Sequence, residues 1–265
     1  MRLKEAARWN QTEGDWCRLL QTEPRGCFCA VIDCRVVGTI TTTTYGSELA
    51  WVGMVLVDPA YRRRGIATGL LNAALEYLSA AQVATVKLDA TPDGQKVYEQ
   101  LGFKVESLIE RRAGVAGETT ASGCATLDAS SGDEVFALDR RAFGADRAKL
   151  IERLITDACV APQIVAAPDG QVRGYALARR GSNAAYLGPL VATDLGTATT
   201  LLDAALTQLS GQQVYVDVNT NFAQGTEVLA ARGFIRQRDL IRMSYGAESS
   251  PTSASVFAIA GPEVG

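Results

Sequence analysis

The sequence predicts an α+β fold built twice, each copy a sheet with helices on both faces, and three observations predict it. Residues 51–78 read as a buried strand, a tight turn and an amphipathic helix in succession. The elements around that stretch run strand, strand, strand, helix, strand, helix, strand, an order that suits a mixed sheet covered on both sides. The second half of the chain then repeats this plan, as expected of two copies of one unit. A length of 265 residues gives each copy enough chain to bury its own core.

Taken in order, the chain opens in a helix-like segment, 2–9. Thr12 and Asp15 fit a capping box, and Trp16, Leu19 and Leu20 give the helix that follows a buried face. Residues 26–32 and 35–43 form a hairpin that turns at Asp33-Cys34, and Tyr45-Gly46-Ser47 makes the next turn. In the alternating run CFCAVIDC, Cys27 and Cys29 fall on one face and are expected to point into the core. The central strand covers 49–57 and is stopped by Asp58-Pro59, since proline gives no N–H to a ladder. From Ile66 onward, Leu70, Leu71, Ala74, Leu75 and Leu78 recur at helical spacing. A strand at 83–89, a helix at 92–101 closed by Gly102, and one or two strands at 103–112 complete a first domain, 1–112.

Between the central strand and its helix lies Arg62-Arg63-Arg64-Gly65-Ile66-Ala67. A helix start leaves N–H groups unpaired, and with arginines beside it offers a site for phosphate. This run, with Val57-Asp58-Pro59 before it and Tyr98-Glu99-Gln100-Leu101-Gly102-Phe103 after it, resembles two motifs of the GCN5-related N-acetyltransferases, the GNAT family. The resemblance implies a mixed, mostly antiparallel sheet whose strands 49–57 and 83–89 splay apart to admit the pantetheine arm of acetyl-CoA. It implies that Arg62, Arg63, Arg64, Gly65, Ile66, Ala67 and Thr68 hold the pyrophosphate, and that backbone of Met54, Val55 and Val57 meets the arm. Thr91 stands where many members carry asparagine for one further contact. Tyr98 matches the position that protonates the leaving thiolate. Asn10 and Gln11 fall where the family's helices wall the acceptor pocket. A proton acceptor for the amine is less plainly marked, and Glu48 and Asp15 are the candidates. Members usually begin with a short strand that is missing here, or replaced by residues from elsewhere.

After a glycine-rich linker at 113–126, a second domain spans 127–265. Helices at 133–143 and 146–157, a hairpin across Pro168-Asp169-Gly170, a strand at 184–192, a helix at 195–209, a strand at 214–218 and a helix closing at Gly233-Phe234 answer the first copy in order. The copies differ in chemistry. The arginine loop becomes Thr193-Asp194-Leu195-Gly196-Thr197-Ala198, and Asp194 would repel a pyrophosphate. Leu229 replaces Tyr98 and cannot donate a proton. A working domain followed by a degenerate one, closing on the run 256–263 with its Ala-Gly-Pro-Glu, resembles bacterial tandem acetyltransferases of the YitH-like group.

Composition removes several other chemistries. The chain has no histidine, so Ser-His and Cys-His nucleophile pairs and histidine-ligated zinc are excluded, and its six cysteines lack zinc-finger spacing. No metal is expected. A net charge of −3 gives no reason to expect nucleic acid or an anionic membrane as partner, and the absence of a long apolar run makes a cytoplasmic protein the expectation. The resemblance implies acetyl transfer from acetyl-CoA to an amine, a small molecule being the favoured acceptor, by direct attack in a ternary complex. A protein amine remains an alternative acceptor, and a coenzyme A sensor or scaffold the alternative to an enzyme. Tyr98 favours the enzyme, since a sensor needs no proton donor.

Overall fold

A computed structural model describes residues 1–119, 123–128, 131–247 and 254–265, which fall into two compact units. The first carries α1 (Arg2–Ala6), α2 (Glu13–Thr22), β1 (Phe28–Ile32), β2 (Arg35–Tyr45), β3 (Leu49–Val57), α3 (Ile66–Ala80), β4 (Thr85–Ala90) and α4 (Pro92–Gln100). The chain continues through β5 (Lys104–Val115), β6 (Ala125–Thr126), α5 (Gly132–Phe143), α6 (Ala148–Thr156), β7 (Gln163–Ala166), β8 (Val172–Arg179) and β9 (Ala185–Ala192). It ends with α7 (Leu195–Gln208), β10 (Gln213–Asn219), α8 (Gly225–Ala230), β11 (Ile235–Gly246) and β12 (Val256–Ala258).

Local chemistry sets the element boundaries of the first unit. Thr12 and Asp15 close the expected capping box at the start of α2, each side chain bonded to the other's backbone N–H. The β1–β2 turn places Asp33 and Cys34 at φ 49° and 58°, the two left-handed residues that a two-residue hairpin matching strand twist requires. Ala50 and Val52 of β3 pack with Leu70, Leu71, Ala74 and Leu78 of α3, joining the central strand to the helix it feeds.

The compact units do not follow the continuous division into 1–112 and 127–265. The first unit is Met1–Glu106 with a segment beginning at Ile241 and the tail Pro262–Gly265; the second begins at Ser107. The sheet of the first unit runs β1-β2-β3-β4-β11, with Ile241 to Gly246 antiparallel to β4. Of residues 103–112, those up to Glu106 stay with the first unit, whereas from Ser107 onward β5 belongs to the second unit and pairs with β10 from Ile109 to Val115. The linker expected at 113–126 is shortened at both ends by β5 and β6, and 120–122 lie outside the described residues. No strand precedes α1 among the described residues, so β1 is the edge of the sheet. That position corrects the placing of Cys29, while Cys27, just before β1, is half-buried. An edge strand is covered on one face only, Phe28 and Ala30 take that face, and Cys29 is exposed.

Candidate active site

The site of the first unit begins with two breaks in regular pairing. β3 and β4 run parallel and pair only at Leu49–Thr85, Ala50–Val86 and Trp51–Lys87; beyond Trp51 the ladder ends and the strands part. On the other edge of β3, the register with β2 shifts between Thr39 and Thr41, which sets Met54 and Val55 together against Ile40. That is a bulge. Met54 takes φ 51°, and Thr39 Oγ1 donates to its carbonyl at 2.9 Å. A bulge leaves one residue outside the ladder, here within the Met54–Val55 segment of β3.

The arginine loop lies beyond Val57, at the end of β3 where the strands have parted. Gly65 is the N-cap of α3 at φ +75°, a conformation that glycine adopts without strain, and Arg63 is also left-handed at 59°. The N-terminal amides of this 15-residue helix begin at the loop. Arg62, Arg63, Arg64 and Gly65 are exposed, as are Thr68 and Gly69 one turn on, while Ile66 and Ala67 are half-buried. Arg64 stacks over the Tyr61 ring at 5.1 Å. Thr91 follows β4 and caps α4, its hydroxyl accepting from the Gly94 amide at 3.3 Å. Tyr98 lies on α4 in the core cluster with Ala50, Val52 and Leu88 of the two parting strands, edge-on to Phe103. Burial pushes its hydroxyl well above the ordinary tyrosine range.

The opposite face of β3 holds the polar side chains. Asn10 and Gln11 are buried at 5% and 7% exposure. Gln11 Nε2 donates to Glu263 Oε2 at 2.7 Å, a contact no spacing in the sequence could announce. Lys87 pairs with Glu106 at 2.9 Å, and Arg242 holds Asp89 through two bonds of 2.8 and 2.9 Å while stacking over Trp51. Neither proposed proton acceptor suits the task. Asp15 is spent on the Thr12 cap and on an ion pair with Arg18. Glu48 is exposed before the start of β3, at the end where β3 and β4 are still paired.

Comparison with known proteins decides the family. A sequence model described as "Acetyltransferase (GNAT) family" matches residues 3–103, and one described as "Acetyltransferase (GNAT) domain" matches 135–258, so that together they span most of the chain. The chain belongs to the GNAT acetyltransferases. It is 22% identical to the uncharacterized N-acetyltransferase YitH of Bacillus subtilis over 222 residues, 82% of this chain and 77% of that one. Its fold is similar to a putative acetyltransferase from Pyrococcus horikoshii, with a TM-score of 0.81 at 23% identity over 95% of this chain and 84% of the other. It is also similar to a tandem GNAT protein from the clavulanic acid biosynthesis pathway, with a TM-score of 0.66 at 18% identity over 94% and 93% of the two chains.

Within this tandem GNAT chain the second copy reproduces the backbone of the first and changes its chemistry. The Phe234 amide bonds to the Leu229 carbonyl at 3.0 Å as the Phe103 amide bonds to the Tyr98 carbonyl at 3.1 Å, so Leu229 does occupy the tyrosine position. β9 and β10 pair in parallel only at Ala185–Val214 and Tyr186–Tyr215 before they too diverge. Their opening is filled by β12, which pairs with β9 on one side and β10 on the other. Where β3 has its bulge, β9 breaks register around Gly188-Pro189, and proline has no amide hydrogen to offer. At the start of α7, Asp194 accepts from the Thr197 amide and hydroxyl, each at 2.8 Å, so the protein's own carboxylate caps that helix.

Proposed function

We propose that the first unit transfers the acetyl group of acetyl-CoA to the amine of a small molecule by direct attack within a ternary complex. The observation that carries this reading is the contrast between two openings. The one between β3 and β4 has a bulge on one flank and an arginine-glycine helix start beyond Val57, whereas its counterpart is filled by β12 and capped by Asp194. Exposed amides at the start of α3, with Arg62, Arg63 and Arg64 beside them, suit a pyrophosphate. Backbone of Met54 or Val55, left out of the β2 ladder, supplies an N–H for the thioester oxygen as charge develops there. Tyr98 keeps its proton through the neutral range and gives it to sulfur as the thiolate departs. With no histidine in the chain, direct attack needs no activated nucleophile.

The small acceptor is favoured by enclosure. Asn10 and Gln11 are buried, and the tail Pro262–Gly265 lies across the same face of β3, with Trp51 Nε1 donating to the Pro262 carbonyl at 3.0 Å. Such a covered face suits a compact amine better than a polypeptide. Calorimetry with acetyl-CoA, followed by thiol release across a set of small amines and peptides, tests both parts. One bound acetyl-CoA per chain and turnover with small amines is the expected result; absence of binding defeats the proposal, and turnover confined to peptides replaces its acceptor.

A further inference from the structure

We propose that Glu263 is the carboxylate that takes the proton from the acceptor amine, an inference that rests on the acetyl-transfer reading of the first unit. Its place is fixed by the backbone on both sides. Trp51 Nε1 donates to the Pro262 carbonyl at 3.0 Å and the Tyr45 hydroxyl to the Val264 carbonyl at 2.6 Å, so β2 and β3 hold the residues before and after it. Its own backbone stands directly on Gly53: a Cβ added there would lie 2.6 Å from the Glu263 carbonyl oxygen and 2.8 Å from its Cα. Gly53 is the residue before Met54, where β3 leaves the ladder. Glu263 is thus packed one step from the bulge that flanks the opening of the two strands.

The surroundings are those of a polar ligand site. Glu263 is 4% exposed, with Gln11 Nε2 bonded to its carboxylate. Thr41 and Thr43 lie opposite Gly53 and Trp51 in the β2–β3 ladder and so share their face. Both threonines are buried, at 2% and 1% exposure, and neither hydroxyl has a hydrogen-bond partner among the described residues. Buried hydroxyls left unbonded cost free energy, and a polar ligand on this face would satisfy them.

The proton balance follows. A basic amine arrives as the ammonium ion, which a carboxylate both attracts and deprotonates. Glu263 takes one proton, freeing the nitrogen lone pair to form the C–N bond at the acetyl carbon. The C–S bond breaks with its electron pair on sulfur. The thiolate takes a proton from Tyr98, and the second proton lost by nitrogen restores the tyrosine. The products are the amide and the free thiol, and Glu263 releases its proton to water.

Glu263→Gln tests this, because it keeps the side-chain length, an acceptor for Gln11 and both backbone bonds of the tail while removing the base. Thiol release from acetyl-CoA is followed with ethylamine, an ammonium ion at neutral pH, and with 2,2,2-trifluoroethylamine, which is largely neutral there. The variant should be slower with ethylamine by about 10²-fold or more, with a rate that climbs as rising pH frees the amine, and stay within a few-fold of wild type with the fluorinated amine. Glu263→Asp, which retains a base, should recover part of the ethylamine rate. An equal loss with both amines would make Glu263 a tail anchor only, and no loss with either would remove it from the reaction. Acetyl-CoA affinity separates the two readings: equal binding by variant and wild type leaves the fault with Glu263, whereas a wild type that does not bind acetyl-CoA overturns the acetyl-transfer reading itself.

Discussion

Tyr98 carries the most informative single atom in the first unit. Its ring is buried against Phe103 and the α3–β3–β4 core, so packing alone would account for an aromatic here. The hydroxyl is the part that packing does not explain. Tyr98→Phe should leave acetyl-CoA affinity nearly unchanged and lower turnover by about 10²- to 10⁴-fold, measured by calorimetry and by thiol release. Equal rates would reduce Tyr98 to a core residue. In the loop, Gly65 matters for a reason different from its neighbours. Beyond its chain neighbours, no protein atom lies within 4 Å of a Cβ placed there, but φ +75° strains any side-chain-bearing residue, and a pyrophosphate held there as proposed would need the backbone bare. Gly65→Val should abolish acetyl-CoA binding, and Arg62→Ala should weaken it by about 1–3 kcal/mol. An unchanged dissociation constant for the valine variant would place the phosphates elsewhere.

At the scale of elements, α3 and α7 are the same helix put to different uses. The first starts on a bare glycine with no side-chain cap; the second starts on Asp194, whose carboxylate accepts from the Thr197 amide. Hydrogen bonds from the Thr197 amide and hydroxyl hold the Asp194 carboxyl below the usual aspartate range. A carboxyl lowered in the folded state stabilises the fold fully above its unfolded pKa, and that contribution is lost as pH falls through the folded value. Asp194→Ala should therefore cost about 0.5–2 kcal/mol of stability near neutrality. The difference from wild type should narrow in acid, as urea melts at pH 7 and pH 3 would register. A difference that held constant with pH would mean that the charge of the cap contributes nothing. Removing the cap should not create a coenzyme site, because β12 still fills the strand opening below it.

At the scale of the molecule, each compact unit needs chain from both halves. The first sheet takes Ile241 to Gly246 against β4, and its polar face takes Arg242 for Asp89 and Glu263 for Gln11. A fragment 1–112 would lack all of these, and would leave Asp89 without its ion pair and β4 with a bare edge. That fragment should show no cooperative thermal transition by circular dichroism, whereas the whole chain should melt cooperatively and bind a single acetyl-CoA. Cooperative unfolding of the fragment would show that the returning strand is dispensable.

What the sequence determined is what short-range physics can dictate. Apolar runs and period marked β3, α3 and β9; the Thr12–Asp15 spacing marked a cap; Asp33-Cys34 marked a hairpin; and the spacing of Gly102-Phe103 and Gly233-Phe234 aligned Tyr98 with Leu229. The loop from Arg62 to Ala67 was legible as the turn that opens α3, while its reading as a phosphate site came from the resemblance of this run and of Tyr98 to Phe103 to family motifs. What only the tertiary structure decided depends on residues far apart in the chain. β11 went unread because its buried Arg242 looks like a surface charge until Asp89 is placed opposite it. No pattern in the run 256–263 announced its place, yet β12 fills one strand opening and Glu263 stands against Gly53, beside the other. A strand pairing or a buried carboxylate contact is made by the partner as much as by the residue, and the partner's identity is a property of the fold.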